Sequence, residues 1–185
     1  ALALTDECSL AGAVRAPQQA KECGLPLILG TEIVMEKTLK LVLLATDRRS
    51  YGAISSLITT GRRRSKKGQY SIAREDVERL AGSGAPVLWV PAEDLKPADW
   101  LAERFRGALW IAAELHCGPN DKARLSSLRD VGKRFDIPLV AAGDVHMRPG
   151  GFLVGEEGAD LLRQGQFIRL LRAHQADHVV GVADA

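Results

Sequence analysis

Residues 138–147 read PLVAAGDVHM, an apolar run of β type that stops abruptly at Gly143, Asp144 and His146. An acid and an imidazole at a strand's exit point to a metal or phosphate site, because both groups are ordinary ligands of divalent cations. The same pattern recurs upstream. ALALT runs into Asp6 and Glu7, LPLILGT into Glu32, LVLLAT into Asp47, and ALWIAA into Glu114, His116 and Cys117. Strands of an all-parallel sheet are covered on both faces and read as continuous Val, Ile, Leu and Ala runs. The repetition therefore predicts parallel strands whose carboxyl ends share one rim, and in a (β/α) barrel that rim carries the chemistry. Taken singly, any such acid is equally a cap for the following helix.

Between these runs the spacing predicts helices over 11–23, 51–64, 74–80, 98–105 and 121–135, and strands over 25–33, 40–46, 86–90 and 109–115. Gly24 and the RFDIPLV junction after Phe135 are turn chemistry that ends a helix and starts a strand. Alternating βα units with short connections argue for a parallel barrel or an open doubly wound sheet. The character changes after His146, where Arg148, Pro149, Gly150 and Gly151 break the pattern. We divide the chain into a (β/α) domain over 1–147 and a divergent tail over 148–185. Within the tail, 159–174 has helical spacing and the final HVVGVADA reads as a strand.

Composition bounds the function classes. At 185 residues and 46% hydrophobic content the chain is long enough to bury the core of one domain. A net charge of +2 gives no strong overall attraction to nucleic acid or to a membrane surface. Cys8, Cys23 and Cys117 are few, odd in number and without CxxC spacing, so neither a disulfide framework nor a zinc ribbon is indicated, and a reducing cytoplasm is the simpler expectation. No run approaches the roughly 20 apolar residues that span a bilayer, and no export signal is evident.

The stretches ALTDECSLAG, LILGTE, ELHCGPNDKARL and LVAAGDVHM resemble the polymerase and histidinol phosphatase (PHP) domain, in the form found in error-prone bacterial DNA polymerases, relatives of the polymerase III alpha subunit. The segment LVLLATDRRSYGAISSLITTGRRRSKKGQY extends the similarity, which covers about 1–147. It implies a distorted (β/α)7 barrel of the PHP type, incomplete because the first strand with its His-x-His sequence does not occur here. It also implies a divalent metal such as Zn, Mn or Fe at the mouth. The implied positions are Asp6 and Glu7 of the TDH-type turn, with Glu7 standing where metal-binding members have histidine, then Glu32, and the closing pair Asp144 and His146. His116 is carried over weakly, because its offset from Glu114 differs from the family pattern. With two usual ligands absent, the expected site is partial.

Each position also has an ordinary reading. Asp6 is a candidate cap for a helix starting near Ser9. Glu7 is more readily a structural acid than a ligand, Glu32 could pair with Lys37 or Lys40, and His146 could hydrogen-bond Asp144 without metal. Cys117 reads as a small buried side chain. The basic run Arg62, Arg63, Arg64, Lys66 and Lys67 ends a helix, where positive charge is favourable; we favour a solvated face over contact with a phosphate backbone. No palm follows His146, so this chain alone is not expected to synthesise DNA. The resemblance implies a scaffold beside the polymerase core of a parent chain that meets DNA, with a degenerate metal site. The alternative is a free-standing metal-dependent phosphoesterase of the same superfamily; a third reading is a fragment whose tail arises from a change of reading frame.

Overall fold

The computed structural model describes residues 2–115, 118–142, 144–145 and 167–168. The strands are β1 (Leu2–Glu7), β2 (Leu27–Met35), β3 (Leu39–Ala45), β4 (Val87–Val90), β5 (Leu109–Glu114), β6 (Leu139–Ala142), β7 (Asp144–Val145) and β8 (Phe167–Ile168). The helices are α1 (Arg15–Glu22), α2 (Arg48–Arg63), α3 (Arg74–Glu78), α4 (Ala98–Arg104) and α5 (Asp121–Phe135), with a short 3-10 turn at Ala11–Ala13. Pro17 lies in the first turn of α1, where its missing N–H costs nothing. This explains why the predicted helix over 11–23 is split into a 3-10 turn and a shorter α-helix. Asp47 caps α2, accepting from the Ser50 amide at 2.7 Å while the Ser50 hydroxyl receives the Asp47 amide at 3.0 Å. Gly24 at φ +63 and Asp136 at φ 54 take the left-handed conformation that closes α1 and α5.

The strands form one sheet in the order β6-β5-β4-β3-β2-β1-β8-β7. β1 with β2, β4 with β5 and β5 with β6 are parallel, whereas β3 is antiparallel to both of its neighbours and β8 to both of its own. The all-parallel expectation is thus corrected at β3. Only residues 36–38 separate β2 from β3, and a parallel crossover needs a dozen or more. In consequence Asp47, at the carboxyl end of β3, lies at the rim opposite Glu7 and Glu114, where it caps a helix instead of joining a shared site. β6 and β7 run in the same direction and are separated by one residue, yet they bound opposite ends of the strand order. One stretch of chain therefore borders both edges, and the sheet curls into an incomplete barrel.

Both faces of the sheet are apolar. Leu41, Leu43, Val87, Trp89, Ile111 and Ala113 pack outward against Ile54 and Leu57 of α2, Val77 of α3, Leu101 of α4 and Leu128 of α5. The alternate residues Ala3, Val42, Leu44, Leu88, Val90, Ala112 and Val140 form a second cluster inside the curl. This two-sided burial is why the strands read as unbroken apolar runs. Of the tail, Phe167 and Ile168 form β8 against β1, not part of the helix expected over 159–174; the rest of that helix and the final HVVGVADA lie outside the described residues.

Candidate functional site

The mouth of the barrel is the rim where β1, β2 and β5 end and β3 begins. On β1, residues alternate between the two faces, and Glu7 is the register partner of Glu32 on β2. Both therefore stand on the face of Ala3, toward the inside of the curl. Glu32 is buried, with 5% of its surface exposed, and the Lys40 ammonium lies 2.9 Å from its Oε2. Lys40 shares the inner face with Val42, the register partner of Glu32. Glu114 follows Ala112 by two residues and so occupies the same face of β5 at the same rim.

Glu7 is held from above. The Tyr70 hydroxyl donates to Glu7 Oε1 at 2.8 Å and accepts from the Val34 amide at 2.9 Å, continuing the edge of β2 beyond the end of β1. Burial, with the carboxylate of Glu7 adding to it, pushes the Tyr70 phenol well above its ordinary pKa, so it stays a donor. Arg62 lies over the Tyr70 ring, 5.4 Å from its centroid, and donates to the Cys8 carbonyl at 3.1–3.2 Å and to the Glu7 carbonyl at 3.2 Å. It pins the turn after β1 to the end of α2.

Asp6 points the other way. Its register partner is Thr31, and its carboxylate lies in a small recess with Leu4, Ser9, Leu10, Gly12 and Ala13. Its Oδ1 is buried with no hydrogen-bond partner among the described residues, and burial raises its pKa. It caps nothing: the 3-10 turn has no side-chain cap, and the Ala11 amide is met by the Ser9 hydroxyl at 3.1 Å.

Of the six implied ligands, then, Glu7 and Glu32 come together and Asp6 is turned away from them. Asp144 is placed as a backbone position on β7, antiparallel to β8. His116 and His146 lie outside the described residues, as does Cys117. Among the described residues, no three His, Cys, Asp or Glu side chains assemble as a metal cluster. Of the implied ligands whose side chains are described, Glu7 is engaged by Tyr70 and Glu32 by Lys40, and Asp6 opens on the other side of the sheet, so these three do not converge on a shared cation.

Lys40 is one of the two partners the sequence offers Glu32, and the ion pair at 2.9 Å realises it; Tyr70 escaped that reading. Tyr70 carries no local signal, since SKKGQYSIA has no strand or helix period. The basic run divides in two: Arg62 is a staple and Arg64 pairs with buried Asp76, while Arg63, Lys66 and Lys67 are exposed. A cavity of about 610 Å³ opens at the other rim, beside Phe105, Gly107, Trp110 and Pro138, away from all these groups.

The PHP domain family model matches residues 1–125, and the chain belongs to that family. It is 53% identical over 153 residues to the error-prone DNA polymerase of Dechloromonas aromatica, with 80% of this chain and 15% of the relative covered. The error-prone DNA polymerases of Pseudomonas fluorescens and Pseudomonas aeruginosa are each 49% identical over 153 residues, covering 82% of the chain and 15% of the relative. The chain thus spans about 15% of the length of the curated relatives it matches. Among solved structures, a protein from Bifidobacterium adolescentis assigned as a metal-dependent phosphoesterase superposes with a TM-score of 0.57 at 18% identity, covering 88% of this chain and 85% of that one. That likeness bears on the fold, an incomplete barrel of the PHP type. No helix among the described residues is long and apolar enough to cross a membrane.

Proposed function

We propose that this chain is the PHP module of an error-prone DNA polymerase, serving as a scaffold beside the polymerase core in a protein that copies damaged template in the cytoplasm. Asp6, Glu7, Glu32, His116, Asp144 and His146 are then the remnant of a degenerate metal site, and DNA is met through the parent protein. The observation that carries this reading is the 53% identity over 153 residues to a polymerase, a likeness running through nearly all of the barrel. The mouth supports it as well, since a carboxylate locked to a lysine and another locked to a tyrosine serve structure better than hydrolysis.

A chimera tests the reading. This chain replaces the corresponding segment of the Dechloromonas aromatica polymerase, and primer extension is measured on intact and abasic templates. We expect extension within a few-fold of the parent enzyme; a soluble chimera without extension counts against the assignment. The phosphoesterase alternative has its own assay, hydrolysis of bis-p-nitrophenyl phosphate by the isolated chain with added Mn or Zn, where no turnover above background is expected.

A further inference from the structure

We infer that Lys40 is the resident cation of the barrel mouth, its ammonium taking the place beside Glu32 that a divalent metal would need. The inference takes up the degenerate site of the reading above and rests on that part of it, not on the polymerase assignment.

The argument starts from strand direction. Because β3 runs against β2, its first residues, not its last, reach the rim where β1, β2 and β5 end. A parallel β3 would bring Asp47 there, as the sequence pattern led us to expect. The reversal exchanges an acid for a base at the mouth. Within β3, Lys40 keeps phase with Val42 and Leu44, so its stem lies along the inner cluster while its Nζ reaches Glu32 Oε2 at 2.9 Å.

The energetics follow from burial. Glu32 is 5% exposed, and a buried carboxylate is costly unless a cation and hydrogen bonds compensate it. Lys40 supplies the charge from within the chain, with no loss of freely diffusing ligand. A protonated lysine has three donors and no lone pair, so it cannot join a metal's coordination shell. A divalent ion bound to the same oxygen at about 2.0–2.2 Å would lie within about 5 Å of the ammonium. At that separation inside a partly buried mouth the repulsion disfavours the metal strongly. The neighbouring carboxylate on that face, Glu7, is held on Tyr70, so Glu7 and Glu32, the two implied ligands that share the inner face with Glu114, are each bound by a group of the chain itself.

The test uses the full chain and its Lys40→Gln and Glu32→Gln/Lys40→Gln variants. Metal content is measured by mass spectrometry after dialysis against Zn or Mn, and Tm is recorded with each metal and with chelator. The wild type is expected to hold no stoichiometric metal and to melt at the same temperature with metal and with chelator. Lys40→Gln should melt lower in chelator and regain about 5 °C or more with metal, because Glu32 has lost the ammonium and now favours an external cation. The double variant should ignore metal and melt above Lys40→Gln in chelator. A wild-type chain with one chelator-sensitive metal overturns the inference, as does a Lys40→Gln chain indifferent to metal. Should Lys40→Gln fail to fold, recovery of folding in the double variant supports the inference and failure of both overturns it.

Discussion

The outward and inward faces of the sheet are made from alternate residues of the same strands, but they are finished differently at the rim. Outward, β5 stays apolar through Leu109, Ile111 and Ala113, and β2 through Ile33 and Met35, because α2 to α5 cover them. Inward, each strand exchanges apolar for charged residues as it nears the mouth: Ala3 gives way to Glu7, Val42 to Lys40 and Ala112 to Glu114. Where α2 to α5 cover the sheet, the face has no route to water and stays apolar; Asp6, on the same face of β1 beside the 3-10 turn, is the exception. The inside of a curled sheet opens at its rim, where charged groups can be both partnered and reached. Face alone therefore does not separate core from site; face and height along the strand together do.

The sharpest test of this contrast sets Leu41→Ala on the outward face against Val42→Ala on the inward one. Both residues are fully buried. Leu41→Ala should cost about 3 kcal/mol in denaturant unfolding, and Val42→Ala no more than about 2, because fewer carbons are removed and the small cavity adds less. Equal losses would break the comparison. Gly30 comes next. A Cβ there would stand 2.5 Å from the Leu43 carbonyl oxygen, a backbone atom that cannot swing aside, and 2.9 Å from Leu44 Cδ2. Gly30→Ala should lower stability by about 2 kcal/mol, read as a fall in Tm.

A third test concerns charge on the helix side. Asp76 is 3% exposed; burial works to raise its pKa, but the Ala73 amide and the Arg64 guanidinium outweigh it and leave the carboxyl below its ordinary value. Its contribution is thus fully present above the unfolded-state pKa and lost as pH falls through the lower folded value. Asp76→Asn should cost about 1–2 kcal/mol at pH 7 and flatten the acid limb of the stability curve. An unchanged acid limb would place the acid sensitivity elsewhere.

The smallest effect is expected at Asp6, with the opposite sign. Its pKa is raised by burial, so the folded state favours the protonated form; that advantage holds below the unfolded-state pKa and disappears as pH rises through the raised folded value. Asp6→Asn should raise Tm slightly at pH 7 and leave it unchanged near pH 3. Destabilisation at pH 7 would mean that the ionised carboxylate is useful where it stands.

Much of the fold was legible because the strands are buried twice over. Runs such as LKLVLLA and ALWIAA mark their own limits, and the expected helices over 98–105 and 121–135 match α4 and α5 to within a residue. The direction of β3 was harder to see. Its hairpin turn carries Glu36 at φ 50 and Lys37 at φ 67, with no Asn-Gly or Gly to announce it. Glu36 is instead held by Arg74 through two hydrogen bonds of 2.7 Å, a contact 38 residues away that no local pattern reveals. The shortness of the gap was the available clue. Of the site, the acids were legible as ends of apolar runs, but their orientations were not. Whether Asp6 or Glu7 faces Glu32 depends on register, and a shift of one residue exchanges the two faces.

The stretch that forms β6 and β7 also sets the order in which the molecule can be completed. β1 pairs with β8 across more than 160 residues of chain, whereas β1 to β6 pair with neighbours close in sequence or one or two helices away. Contacts of such long separation form late, after local units have paid their own ordering entropy. Until Phe167 and Ile168 have arrived, β1 offers an unpaired edge, and unpaired edges are templates for strands of other chains. A nascent chain released shortly after β6 would therefore present an open six-stranded sheet, sticky at the edge that β8 covers.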